Sequence, residues 1–214
     1  MSRTSQSLGA ALATITLLGA CSSSEEPEEG PTPLEHPLSA EEVCGGTLAA
    51  FGAEALESLS HGVEFSEMVN EPRAEVGAFA DELRRPHEGT FTFCTIYTPD
   101  YESSGLATVR FSWSPTSAPT SSPSPVSGAT ANFAAGRSAW TGESSAFMLF
   151  SCPVAADEER SELLSRLDFI QPGASYEPDL MMEVLNAMTG AVAEELGCAE
   201  EAGLPSGAPQ RIEG

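Results

Sequence analysis

The chain contains no lysine. Nine arginines are its whole stock of permanent positive charge, set against 32 acidic residues, and the formal net charge is −23. A charge of that size keeps a protein soluble and repels phosphate backbones and anionic head groups. Nucleic-acid binding is therefore not an expected role, and a partner steered by the overall field would be neutral or cationic. Cysteines at C-x-x-C spacing are missing, and none of the three histidines, His36, His61 and His87, lies near a cysteine in sequence. Neither a metal site nor a cofactor is expected from such a pattern. Long apolar runs are missing too. The longest candidate, Leu8 to Leu18, has roughly 11 residues where about 20 are needed to span a bilayer as a helix.

That short run is nonetheless informative. It follows Arg3, and no acid occurs before Cys21, which is the layout of a secretory signal with a positive start and a short apolar centre. The residues Leu18, Gly19, Ala20 and Cys21 that end it are similar to the lipobox of bacterial lipoproteins, a leucine and two small residues before a cysteine. The resemblance spans only the first 21 residues. It implies that residues 1–20 are a signal peptide cut before Cys21, that Cys21 carries diacylglycerol, and that the mature chain is a cell-membrane lipoprotein held on the extracytoplasmic face. Two or more acyl chains give stable anchoring, whereas one gives marginal binding. The absence of lysine with abundant Ala, Gly and Glu resembles the usage of a GC-rich genome such as an actinobacterium's, and a small domain behind a lipobox resembles the extracytoplasmic lipoproteins of that group. Cleavage would remove one Arg and no acid, taking the charge from −23 to −24.

With Cys21 lipidated, Cys44, Cys94, Cys152 and Cys198 remain, an even number in an oxidising compartment. Two disulfides are expected. Three connectivities are open from spacing alone; Cys44 with Cys94 and Cys152 with Cys198 is the favoured one, because each pair then ties a helix-like segment to a strand-like one in the same half. Each would close a loop of about 50 residues, worth roughly 4 kcal/mol in the chain-entropy model.

Residues 21–38 are mostly Ser, Glu, Pro and Gly and cannot bury enough surface to offset ordering entropy, so they read as a disordered acidic tether. His36 falls in it. The domain is expected over 39–198. Ser39 and Glu42 have capping-box spacing, while Gly45 and Gly46 predict a break. Leu48, Phe51, Ala55, Leu56 and Leu59 recur as one helical face ending near His61 and Gly62. Val76, Phe79, Ala80 and Leu83 mark a second helix, with Arg84 and Arg85 in its last turn and Pro86 after it; the arginines there complement the helix dipole. Thr90 to Thr98 alternates, with Phe91, Phe93 and Tyr97 on one face and Cys94 and Ile96 on the other. Leu106 to Trp113 alternates again, so the two read as a hairpin.

Residues 114–128 are Ser, Thr and Pro rich and read as a loop; the composition also resembles O-glycosylated segments. A short strand is expected within Ala129 to Ala135, and a strand buried on both faces over Ser145 to Cys152. Between them, Gly136-Arg137-Ser138-Ala139-Trp140 lacks the second glycine of a nucleophile elbow, so Ser138 reads as a loop residue and Ser144 no differently. Asp157 to Ile170 reads as a helix through Leu163, Leu164, Leu167 and Ile170, with Asp157, Glu158 and Glu159 in its first turn. Pro178 opens a last helix whose stripe is Met181, Val184, Leu185, Met188, Ala191 and Val192. Residues 199–214 read as a flexible tail.

Helices, strands, then helices make an α+β domain. The expectation is a single antiparallel sheet with helices mainly on one face, pinned by two disulfides. No catalytic constellation stands out. The residues fit a membrane-anchored domain that binds a small molecule or an envelope protein without catalysis. The alternative is a cell-envelope hydrolase using a carboxylate pair as acid and base.

Overall fold

The computed structural model describes residues 37–67, 75–86, 89–99, 105–114, 126–153, 161–170 and 176–213. Cys21, the tether up to residue 36, most of the Ser/Pro stretch and the acids Asp157 to Glu159 lie outside them. Seven strands form one sheet: β1 (Thr90–Ile96), β2 (Ala107–Ser114), β3 (Ala131–Phe133), β4 (Ser138–Thr141), β5 (Ser145–Ser151), β6 (Glu162–Phe169) and β7 (Arg211–Ile212). Their order is β1-β2-β6-β5-β4-β3-β7 and every pairing is antiparallel. The helices are α1 (Ala49–Ser60), α2 (Val76–Arg84), α3 (Pro178–Leu196) and the short α4 (Ala199–Ala202). The expected fold class is the observed one.

Alternation decides which side of the sheet the helices take. Val109 and Phe111 of β2, Leu163 and Leu167 of β6, Ala146, Met148 and Phe150 of β5, and Phe133 of β3 are all fully buried, and the register places them on one face. Against this face lies α3, whose Met181, Val184, Leu185, Met188 and Val192 are buried as its spacing predicts, with Met182 buried as well and Ala191 only half-buried. The helix α2 covers the β1–β2 end. Its Phe79 ring sits 4.9 Å from Phe93 and 5.4 Å from Phe111, and Trp113 Nε1 donates to the Leu83 carbonyl at 3.0 Å. Helix α1 packs on α3 so closely that a Cβ at Gly52 would stand 2.7 Å from that of Ala187. Arg84 pairs with Asp81 at 2.7 Å and donates to the Glu195 carbonyl at 2.6 Å, fastening the end of α2 to the last turn of α3.

The structure corrects several local readings. The expected helix over Asp157 to Ile170 is strand β6 where described. Its Leu163 and Leu167 fit both a helical and an alternating template, and the unpaired backbones of β2 and β5 on either side decide for the strand. The register then puts Ser165 on the buried face, a position that a helical stripe would not use. Its hydroxyl accepts from Thr189 of α3 at 2.8 Å and donates to the Met148 carbonyl at 3.3 Å, so the polar group is satisfied in the core. In β1 the pairing jumps from Thr92 opposite Arg110 to Cys94 opposite Val109. The extra residue, Phe93, makes a bulge, which turns Phe91, Phe93, Cys94 and Ile96 all inward instead of dividing them between faces. Ser138 begins β4 and is not a loop residue.

Strand β5, expected to be buried on both faces, alternates between buried and half-buried. Ser39 and Glu42 form half of a capping box, Glu42 Oε2 accepting from the Ser39 amide at 2.9 Å. A 3-10 turn (Val43–Gly46) follows in place of a helix, with Cys44, Gly45 and Gly46 at positive φ. Helix α1 ends on His61, in the left-handed conformation at φ 55°. Leu38, placed in the tether by composition, is buried and bridges to Phe65. The tail carries α4 and β7, which pairs with β3, and Asn186 Nδ2 donates to the carbonyls of Pro205 and Gly207 at 2.9 and 3.0 Å.

Both favoured disulfides are present, with Cα separations of 5.5 Å for Cys44–Cys94 and 5.1 Å for Cys152–Cys198. The first ties the 3-10 turn to β1, and the second ties the end of β5 to the end of α3. Replacing Cys152 and Cys198 together by Ala is expected to cost about 2–4 kcal/mol in urea unfolding. An unchanged midpoint would show that α3 needs no staple to stay on the sheet.

Candidate functional site

The sheet face away from the helices carries the residues that alternate with the core. One row of cross-strand neighbours runs over all seven strands: Thr92, Arg110, Arg166, Phe147, Trp140, Asn132 and Ile212. The adjacent row on the same face contains Thr90, Ser112, Leu164, Leu149 and Ser138, and the row on the other side Thr108, Asp168 and Ser145. Arg110, Phe147, Trp140 and Leu164 are half-buried and Arg166 is exposed.

Two arginines directly opposite each other on neighbouring strands repel. Here Asp168 accepts from both. Arg166 Nε and Nη2 reach Asp168 Oδ1 at 2.8 and 2.6 Å, and Arg110 Nη1 reaches Oδ2 at 2.9 Å. Ser145 Oγ also donates to Oδ1, at 2.7 Å. Only 14% of the Asp168 side chain is exposed, against 38% and 48% for the two arginines, so the carboxylate lies beneath a pair of guanidiniums that reach toward solvent. Phe147 holds the second of them. The Arg166 guanidinium carbon lies 5.1 Å from the Phe147 ring centre, within cation–π range. The Phe147 ring is stacked at 5.1 Å and 10° on Trp140. Arginine, phenylalanine and tryptophan thus form a short ladder across β6, β5 and β4.

Beside this ladder is a cleft of about 400 Å³, lined on the open face by Thr90, Arg110, Ser112, Phe147, Leu164 and Arg166. Its volume is in the range of small-molecule sites. Two guanidiniums, two hydroxyls, an aromatic ring and a leucine converge on it, and among the described residues no carboxylate or histidine lines it. Such a lining can bind and orient a ligand.

Elsewhere the residues singled out from sequence have structural occupations. The thiols of Cys44 and Cys94 and the carboxylate of Glu67 approach within 4.8 Å of one another, but the sulfurs are bonded to each other and Glu67 Oε1 accepts from the Cys44 amide at 2.5 Å. Arg84 is engaged between α2 and α3. Ser144 is a bend before β5 and its carbonyl accepts from the Phe169 amide. Buried Glu162 pairs with Arg137. On the helix layer, Asp179 is held bidentately by Arg211 at 2.6 and 2.8 Å. Glu183, one turn along α3, has its carboxyl pushed above the ordinary range, first by burial and then by the charges of Asp179 and Glu54.

Sequence reasoning missed Arg110, Trp140, Phe147, Arg166 and Asp168 as a group. An alternating reading of 162–169 would have put Arg166 and Asp168 on the face opposite Leu163 and Leu167. Comparison with protein-family models, with curated proteins and with solved structures finds no match to this chain.

Glu183 supports a pH prediction. A carboxyl whose folded-state pKa is raised contributes stability in full below its unfolded pKa and loses it as pH rises through the folded pKa. Glu183→Gln is therefore expected to raise stability at pH 7, by no more than about 1 kcal/mol in a half-exposed setting, read as a higher melting temperature. The gain should vanish by about pH 4. A variant less stable than the parent at pH 7 would contradict the assigned cause.

Proposed function

We propose that this chain is an exported lipoprotein, cut before Cys21 and anchored there on the extracytoplasmic face of the cell membrane, whose folded domain is a non-catalytic binding module. The observation that carries the binding part is the Arg110–Asp168–Arg166 arrangement at the rim of the open-face cleft. Two like charges side by side oppose sheet formation, and a carboxylate beneath them offsets that cost while leaving guanidinium edges toward the cleft. A local arrangement that works against stability is expected at sites kept for function.

Export is supported by the lipobox-like Leu18 to Cys21 and by two disulfides, which persist in oxidising compartments. Among the described residues no helix is long and apolar enough to cross a membrane. The hydrolase reading has less support. It needs two acids flanking a bond, and among the described residues none lines the open-face cleft.

Expression of the full chain with a radiolabelled fatty acid, followed by detergent phase separation, tests the anchor. The parent is expected in the detergent phase carrying label, and Cys21→Ser in the aqueous phase or uncleaved, without label. Recovery of the parent from cytosol with residues 1–20 attached and no acyl mass would overturn the proposal.

A further inference from the structure

We infer that the open-face cleft is a site for a small monoanionic carboxylate on a hydroxylated ring, a uronic-acid type of ligand. The inference rests on the binding reading above and specifies what that site takes.

The sign of the ligand follows from local charge. Arg110 and Arg166 bring two positive charges and Asp168 one negative, which leaves one positive charge in excess at the rim. The chain as a whole carries −23, and that field opposes polyanions approaching from a distance. Over separations beyond about 8 Å it is screened at physiological salt, so a single small anion meets the local guanidiniums and not the whole-molecule charge. This departs from the neutral or cationic partner that net charge alone suggests.

The geometry favours carboxylate. Arg166 spends Nε and Nη2 on one oxygen of Asp168, and Arg110 spends Nη1 on the other. Among the described residues Arg166 Nη1 and Arg110 Nη2 have no partner. These two nitrogens, one from each of two guanidiniums that are direct cross-strand neighbours, can each donate to one oxygen of a single carboxylate that bridges them, as two charge-assisted hydrogen bonds. The rest of the lining describes the body of the ligand. Thr90 and Ser112 are opposite each other in register and offer two hydroxyls, while Leu164 and Phe147 offer apolar contact. A ring with hydroxyls at its edge and C–H groups on its face matches that mixture.

Asp168 is a positioning residue here. It fixes both guanidiniums and, as an anion beneath them, also competes with the ligand. Its removal therefore has a sign that a purely structural role would not give, since Asp168→Asn should tighten anion binding several-fold as long as the domain remains folded.

The test is isothermal titration of the mature protein in detergent with glucuronate, glucose and glucose 1-phosphate, with circular dichroism melts of each variant. Glucuronate is expected to bind at least about tenfold tighter than glucose, from charge-assisted hydrogen bonds. Arg166→Gln and Arg110→Gln should each remove most of that difference. Equal binding of glucuronate and glucose, unaffected by Arg166→Gln, would overturn the anion inference and leave a neutral-ligand site standing. Tighter binding of glucose 1-phosphate than of glucuronate would overturn the carboxylate class. If none of the three sugars binds the parent or Asp168→Asn, both this inference and the binding reading of the cleft fall.

Discussion

An antiparallel sheet sealed on one side constrains every second residue of its strands to be apolar and frees the residues between them. That constraint organises this molecule. On the sealed side, Met148, Phe150, Leu163 and Leu167 lie on the strands that α3 packs against, and Phe111 meets Phe79 of α2. On the other side, the same strands put Arg110, Phe147, Arg166 and Asp168 in adjoining rows. Neither set could change register by one residue without exchanging places with the other, so the core that stabilises the fold also fixes the spacing of the cleft.

The helix layer is fastened to the sheet at two points. One disulfide holds the 3-10 turn to β1 at one edge, and the other holds the end of α3 to β5 near the middle. Between them, Phe79 and Trp113 lock α2 over the hairpin, and Ser165 with Thr189 gives α3 a polar contact to β6 within an otherwise apolar core. A rigid layer on one side lets the open face carry arginines opposite each other, with Asp168 and the Phe147–Trp140 stack compensating locally.

Much of this was legible in the sequence. The helical stripes of α1, α2 and α3 and the β1–β2 hairpin follow from spacing alone, and the disulfide pairing follows from the wish to join helix to strand. What was not legible depended on partners distant in sequence. Leu163, Leu164 and Leu167 share a helical face, whereas only Leu163 and Leu167 share a strand face, and it is the neighbours β2 and β5 that select the strand. The bulge at Phe93 is invisible without its partner strand. The docking of the tail needs Asn186, some 20 residues upstream, to receive it. The candidate site fell with β6: once that segment is read as a helix, Arg166 and Asp168 no longer meet Arg110, and the single residues Phe147 and Trp140 carry no signal.

The measurement that bears most directly on the one-sided sheet is residue-resolved hydroxyl-radical footprinting of the folded protein. Trp140, Phe147 and Leu164 are expected to oxidise readily, while Met148, Phe150 and Phe111 stay protected although methionine is the more reactive side chain. Oxidation of Met148 and Phe150 at rates matching Phe147 would contradict a sheet with one sealed and one open face, and with it the site built on that face.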